Sequence, residues 1–273
     1  MGRKPYLTER TPGVLAMASG PQARRVAGIA LAVAMSWTGS AFAALDQCAG
    51  GGIFEDGYVQ AQTVTFGPPD PTDDIKGSSA QIIVRRGLVC ESDNDTYTNL
   101  VHAYSGATGW NPSSGKYGWV EVGYRRYFNA PNIYHYTEDS ETGNSFVRQT
   151  FGIASLGGEY TYKAETGNIL CFCFRFFIAG TIVNNTTWDP EVSWESELIN
   201  ATWKGRTKYT QSDIPGLSTS QTRFRNLKIQ DVDYDFVPAT SAFFVLDNDN
   251  LARWALSGVS NNTFFEYCSV ACT

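Results

Sequence analysis

The chain has 273 residues, with 21 Lys and Arg against 27 Asp and Glu, which gives a formal net charge of −6. Charged residues make up 18 % and hydrophobic residues 42 % of the chain, a composition that excludes a disordered protein. Only two histidines are present, His102 and His135. This excludes a metal site built from several histidines and leaves these two as the only imidazole bases for a serine or cysteine nucleophile.

The N-terminal region predicts a secretory signal. Residues 26–35 form an apolar run that basic residues precede and that an A-x-A cleavage site ending at Ala43 follows. The run is too short to cross a bilayer as a stable helix. We therefore expect residues 1–43 to be a signal peptide, with Met17 as an alternative start, and residues 44–273 to form a secreted domain, extracellular or periplasmic.

Removal of that signal changes the charge of the chain. It takes away five basic residues and one acidic residue, which leaves 16 basic and 26 acidic residues and a balance of −10. Such a charge disfavours nucleic acid and anionic membrane surfaces, so we expect neither as a partner.

All six cysteines lie after the predicted cleavage site, and an even number in an exported chain predicts disulfides. They are Cys48, Cys90, Cys171, Cys173, Cys268 and Cys272. We favour a bond between Cys48 and Cys90, because it would tie down the mature N-terminus. A zinc site is the rival interpretation, although no C-x-x-C pair is present.

Short segments of alternating polarity predict strands along most of the chain. They cover residues 58–66, 80–85, 98–104, 119–124, 132–136, 159–164, 169–179, 198–203, 222–229 and 242–246. Proline and glycine clusters predict loops at 67–71, 106–115 and 215–216. Because no segment shows a convincing helical period, the sequence predicts an all-β fold, a single-domain antiparallel β-sandwich of the jelly-roll or concanavalin type.

The predicted strand 169–179 is apolar on both faces, which is typical of a central strand. Cys171 and Cys173 would then point to the same side of it. Cysteines in that arrangement are expected to bridge to other strands or to the tail cysteines rather than to each other.

Glu121 is the first candidate for chemistry. It lies in a predicted strand between Val120 and Val122, on the same face as Trp119. A carboxyl held beside an indole is partly desolvated, which favours a role as general acid or base. The alternative is a glutamate on a solvated face.

Glu195 and Glu197 would share one face of an extended segment. A second carboxylate near Glu121 would allow one carboxyl to hold a proton while the other activates water. The same pair could hydrolyse a glycosidic bond. The alternative is again a solvated face.

Two acidic clusters raise the question of calcium. Asp231, Asp233 and Asp235 alternate along a predicted strand face, and residues 247–250 form an Asp/Asn tetrad. The tetrad lacks the glycine and the terminal glutamate of an EF-hand loop, and such clusters are typical of turns. We expect no metal and no cofactor.

Several segments resemble the neprosin-type family of secreted proteins. In that family a Glu-x-Gly-Trp strand precedes an aromatic-rich Tyr-Trp-Thr-x-Asp strand and a Phe-Val-Gln segment, and a Trp-Gly-Gly-Glu-Val stretch and a Gly-rich turn follow. The corresponding segments here are 120–124, 134–139, 146–149, 201–207 and 210–216.

The resemblance implies a β-sandwich glutamic peptidase that uses two glutamates. Glu121 falls on the first, whereas the second falls on Arg206, which cannot act as that acid or base. Fungal glutamic peptidases share a comparable sandwich, with the catalytic glutamate in a Trp-x-x-Glu strand beside a glutamine. Trp194 to Glu197 has that spacing, which offers Glu197 as a substitute.

The expected function is therefore a secreted, neprosin-like protein with acid peptidase activity of the glutamic type, acting on an extracellular polypeptide. The alternative is a non-catalytic module that binds a glycan or another partner. A second carboxyl within reach of Glu121 would favour the enzyme, and Arg206 paired with Glu121 would favour the binding module. The catalytic candidates are Glu121 and Glu197, and the predicted substrate-binding residues are Trp119, Tyr124, Tyr136 and Arg206.

Overall fold

The computed structural model describes residues 54–63, 75–89, 100–128, 130–167, 171–209, 214–239, 244–248, 254–260 and 263–268. All of them lie within the compact unit formed by Phe42–Thr273. The predicted signal peptide, the favoured Cys48–Cys90 bond and the predicted loop at 67–71 lie outside the described residues.

Within these residues the chain forms sixteen strands and one short helix. The strands are β1 (Phe54–Thr63), β2 (Gly77–Ile83), β3 (Leu100–Asn111), β4 (Lys116–Tyr127), β5 (Tyr134–Ser140), β6 (Val147–Ile153), β7 (Glu159–Thr166), β8 (Phe174–Ile178), β9 (Thr181–Asn185), β10 (Glu195–Tyr209), β11 (Gly216–Leu217), β12 (Ser220–Gln230), β13 (Phe236–Pro238), β14 (Phe244–Asn248), β15 (Trp254–Ser260) and β16 (Thr263–Cys268). The helix is α1 (Pro190–Ser193), which Asp189 caps by accepting from the backbone N–H of Glu191. None of the described helical structure has the length and apolar character needed to cross a membrane.

The strands form two sheets. The seven-stranded sheet has the order β14-β1-β10-β3-β4-β5-β6, and the nine-stranded sheet has the order β15-β16-β11-β12-β2-β7-β8-β9, with β13 beside β12. The described pairings are antiparallel except for the short contact between β11 and β16. The predicted single-domain antiparallel β-sandwich is confirmed.

The core lies between the two sheets and includes polar contacts that join them. Trp203 of β10 is fully buried, and its Nε1–H donates to the carbonyl oxygen of Ser79 in β2 at 3.0 Å. His135 of β5 lies 2.8 Å from the Tyr162 hydroxyl of β7, measured from its Nδ1. Burial lowers the pKa of His135, which disfavours the charged form of its imidazole.

The predicted loop at 106–115 is too long: β3 continues through its first part as far as Asn111, and residues 112–115 form the turn. Its glycines mark close approaches rather than turns. A Cβ on Gly109 would lie 2.2 Å from the Trp194 ring, and one on Gly106 would lie 2.2 Å from the carbonyl oxygen of Val120. Among the glycines of this segment, only Gly115 has the positive φ, 64°, of a turn residue.

The predicted strand 169–179 is also too long. The strand β8 begins at Phe174, and the preceding Phe172 and Cys173 lie in a bend. Because the chain is not pleated there, Cys171 and Cys173 are not held in a strand, and they form a disulfide with each other. The expectation that each would bridge to another strand is corrected.

The three aspartates at 231, 233 and 235 lie in a turn rather than along a strand. The Asp231 carboxylate accepts from the backbone N–H groups of Asp233 and Asp235, at 3.1 and 2.9 Å. This Asx-type arrangement uses the carboxylate to close the turn. Within the described part of the chain, no group of three or more His, Cys, Asp or Glu residues is placed to hold a metal ion.

Candidate functional site

Glu121 lies at the centre of the outer face, which we define as the face of the seven-stranded sheet opposite the core. Its neighbours Val120 and Val122 belong to the core, and side chains alternate along a strand. Glu121 is paired in register with Gly106 of β3 on one side and with Glu138 of β5 on the other. The two glutamates are therefore cross-strand neighbours on the same face.

A glycine beside Glu121 makes room for two tyrosines. Gly123 is paired with Tyr104 of β3 and with Tyr136 of β5. A Cβ on Gly123 would lie 2.1 Å from the carbonyl oxygen of Ala103 and 2.8 Å from the Cβ of Tyr104. The absence of a side chain here allows both phenol rings to lean towards Glu121.

The Glu121 carboxylate is buried and is surrounded by donors. The Tyr136 hydroxyl donates to Oε2 at 2.9 Å, and Tyr104 also hydrogen-bonds to this carboxylate. Because the only proton of the Tyr136 hydroxyl is used in that bond, its oxygen accepts from Nδ1 of His102, 2.7 Å away. Nη1 of Arg206, on β10, lies 3.6 Å from Oε1 of Glu121.

The two tyrosines remain protonated. Burial raises the pKa of both Tyr104 and Tyr136 well above the ordinary value, and the neighbouring Glu121 charge raises it further. Both hydroxyls are therefore hydrogen-bond donors over the whole range in which proteins are normally studied. Two phenol donors and a guanidinium favour the ionised form of the Glu121 carboxyl.

Glu138, the second carboxylate, is held by its own arginines. It forms an ion pair with Arg148 of β6, and Nη1 of Arg125 lies 3.8 Å from its Oε2. The Arg125 guanidinium also stacks on the Tyr136 ring, 4.3 Å from the ring centre. The two adjacent carboxylates therefore have three arginines as neighbours. Arg125 and Arg148 lie near Glu138, and Arg206 lies near Glu121.

The structure brings most of the predicted site residues together but not all of them. Trp119 and Tyr136 lie on the outer face with Glu121, and Arg206 contacts Glu121 directly. Tyr124 is not brought there: it is a core residue, and its hydroxyl accepts from the backbone N–H of Arg85 at 3.1 Å. The backbone of Glu197 lies in β10, but its side chain is outside the described part of the structure.

Sequence reasoning missed Glu138, Tyr104 and the role of His102 in this network. Glu138 could have been found, because it alternates with Tyr136 in the same strand and therefore shares its face. His102 and Tyr104 depend on the pairing of β3 with β4, which no local pattern reveals.

Comparison with known proteins identifies the fold. No protein-family model matches the sequence, and no curated protein matches it. Two similar solved structures are of scytalido-glutamic peptidase, one with a peptide based transition state analog and one with a transition state analog inhibitor. Their sequence identities to this chain are 10 % and 9 %, each with a TM-score of 0.51, and each match covers 78 % of this chain and 98 % of the peptidase chain. At such identities the likeness shows a shared β-sandwich fold.

Proposed function

We propose that this chain is an exported, neprosin-like β-sandwich that binds a glycan and does not act as a peptidase. The observation that carries this proposal is the contact of Arg206 with Glu121, 3.6 Å from Nη1 to Oε1. By resemblance, Arg206 stands where a glutamic peptidase has its second glutamate. A guanidinium cannot exchange a proton as a carboxyl does, and it keeps Glu121 ionised and occupied.

The burial of Glu121 supports the same conclusion. A general base must reach a water molecule or a substrate proton with a free lone pair. The Glu121 residue is 2 % exposed, and its carboxylate accepts from Tyr136 and Tyr104 besides pairing with Arg206. The Arg206 side chain is more accessible, at 19 %. Glu121 thus orients a guanidinium, whose planar set of donors suits the recognition of ligand oxygens.

An aromatic strip next to this pair suits the flat faces of sugar rings. Tyr117 and Trp119 precede Glu121 along β4 at two-residue spacing, so all three share the outer face. Trp110 of β3 is paired with Tyr117, with ring centres 5.1 Å apart, and Tyr117 is 51 % exposed. Nε1 of Trp119 is buried without a hydrogen-bond partner in the described part of the structure. Rigid aromatic surface beside a few polar donors is the usual composition of a small-ligand site.

Titration calorimetry with cellohexaose, laminarihexaose, xylohexaose, mannohexaose and chitohexaose tests glycan binding. We expect at least one hexasaccharide to bind, and Tyr117→Ala to weaken its Kd about tenfold through the loss of one stacking surface. Phe172→Ala is the matched control, because Phe172 is also more than half exposed but lies outside the outer face, in the bend before β8. Absence of binding to all five sugars, or equal weakening by both variants, contradicts the proposal.

Acid peptidase activity is the second candidate, and one observation favours it. Glu121 and Glu138 are directly paired in register on the same face, an arrangement in which one carboxyl can hold a proton for the other. We expect the wild-type chain to leave casein undigested at acidic pH. Digestion that peaks at acidic pH and falls about a hundredfold in Glu121→Gln would instead establish the enzyme.

The variant Arg206→Glu separates a disabled peptidase from a chain that never had the activity. It restores the residue that the resemblance implies at that position. Gain of acid proteolysis in this variant would show that the substitution at 206 removed catalysis from a peptidase scaffold. A matched Lys204→Glu variant, which adds the same charge two residues away on β10, should gain nothing.

A further inference from the structure

We propose that the Cys171–Cys173 disulfide is a thiol–disulfide exchange site, which oxidises an exposed dithiol on a client polypeptide. The two cysteines are separated by one residue, with their Cα atoms 5.1 Å apart. They lie in the segment just before β8, outside any strand. This activity is independent of the glycan site on the outer face.

The disulfide adds little to the stability of the fold. The stabilisation that a disulfide gives the folded chain grows with the length of the loop that it closes, and this loop is as short as three residues. The surrounding backbone is held without it. The N–H of Gly167 donates to the carbonyl oxygen of Cys173 at 3.1 Å, and the N–H of Phe174 donates to Oγ1 of Thr186 at 2.9 Å. The bond can therefore be reduced without unfolding of the sandwich.

The two cysteine residues differ in their exposure. Cys173 is buried, at 4 % exposure, whereas Cys171 is partly exposed. Phe172, between them, is 65 % exposed and presents an apolar ring where a client would approach. An incoming thiolate reaches the sulfur of Cys171 first, which makes Cys173 the leaving group.

Neighbouring charges favour a thiolate leaving group. Arg175, two residues after Cys173, lies 2.7 Å from Glu165 through its Nη2, and Lys163 pairs with the same carboxylate. Two cations and one carboxylate thus lie on the β7–β8 pair, whose strand β8 follows Cys173. Cationic surroundings stabilise a thiolate and so favour its departure.

The exchange proceeds in two displacement steps. A client thiolate attacks the sulfur of Cys171, forms a mixed disulfide and expels the Cys173 thiolate. The second client thiolate then attacks the client sulfur of that mixed disulfide, which forms the client disulfide and expels the Cys171 thiolate. The client loses two electrons, the Cys171–Cys173 pair gains them, and both released thiolates take up protons from water according to the pH. A low-molecular-weight disulfide, such as glutathione disulfide, restores the bond.

A single-turnover assay tests the proposal with the full oxidised chain. The probe is a reduced synthetic peptide with two cysteines, mixed with the protein in buffer free of oxygen. We expect a burst of one peptide disulfide per chain in the wild type and none above the blank in Cys171→Ser/Cys173→Ser. The thermal unfolding of the double variant should match that of the wild type, because so short a loop stabilises little. Equal oxidation by both proteins would overturn the proposal.

Two single variants test which sulfur is attacked. Cys173→Ser leaves the cysteine at the partly exposed position 171, whereas Cys171→Ser leaves the cysteine at the buried position 173. We expect the first variant to react about tenfold faster with 5,5′-dithiobis(2-nitrobenzoate), because thiol reactivity follows access. The reverse order of reactivity would show a purely structural disulfide. The same conclusion would follow if glutathione buffer reduced the bond only after a denaturant had unfolded the chain.

Discussion

Arg206→Met is expected to lower the free energy of unfolding by about 3 kcal/mol at neutral pH, because it removes the guanidinium that lies 3.6 Å from the buried Glu121 carboxylate. Urea titrations of the variant and the wild type at neutral pH measure the difference.

The double variant Glu121→Gln/Arg206→Met is the matched control for that experiment. It removes both charges and keeps similar volumes, so neither member of this pair is left behind without the other. Replacement of both members of a buried pair is often close to neutral, and we expect most of the lost stability to return. A double variant as unstable as Arg206→Met would mean that the contact between the two side chains contributes nothing.

Trp203→Ala is expected to lower the free energy of unfolding by about 4 kcal/mol. The side chain is fully buried between the sheets, so its loss leaves a large cavity, and the Ser79 carbonyl loses its donor. Trp203→Phe fills most of that space and removes the hydrogen bond alone, so we expect it to cost about 1–2 kcal/mol. Denaturant unfolding of each variant gives both values.

A variant at an exposed leucine is the control for the loss of stability in Trp203→Ala. Leu156 is 65 % exposed, and Leu156→Ala should change stability by no more than about 0.5 kcal/mol. If Trp203→Ala lowered the free energy of unfolding as little as Leu156→Ala, the described burial of Trp203 between the two sheets would be incorrect.

Alternation predicted the strand that carries Glu121, because Val120 and Val122 are buried on one face while Glu121 and Gly123 lie on the other. The same alternation argues against the prediction that Tyr124 binds substrate. It is an odd number of residues from Glu121, so the two side chains lie on opposite faces of the strand. Aromatic character suggested a ligand contact, but the rule of alternation places this ring in the core, where the structure has it.

Features that depend on distant strands could not be predicted. The glycines of β3 have the composition of a loop, yet Gly109 is small because Trp194, far along the chain, packs against it. The position of Arg206 on Glu121 requires β3 to lie between β10 and β4, a sheet order that only the fold shows. The resemblance assigned Glu121 and Arg206 to the positions of two catalytic residues, and the structure places their side chains 3.6 Å apart, from Oε1 to Nη1.

The position of β1 in the seven-stranded sheet affects the speed at which the chain can fold. Its strand neighbours are β10 and β14, and Tyr58 is paired with Arg206, so the two partners are separated by more than half of the sequence. Two strands so far apart in sequence pair only after a long loop of chain has closed. Folding is therefore expected in the millisecond-to-second range of sandwich proteins. The meander from β3 to β6 has only local pairings, apart from the contact of β3 with β10. We therefore expect the strands around Glu121 to form the folding nucleus, onto which the two ends of the chain assemble last.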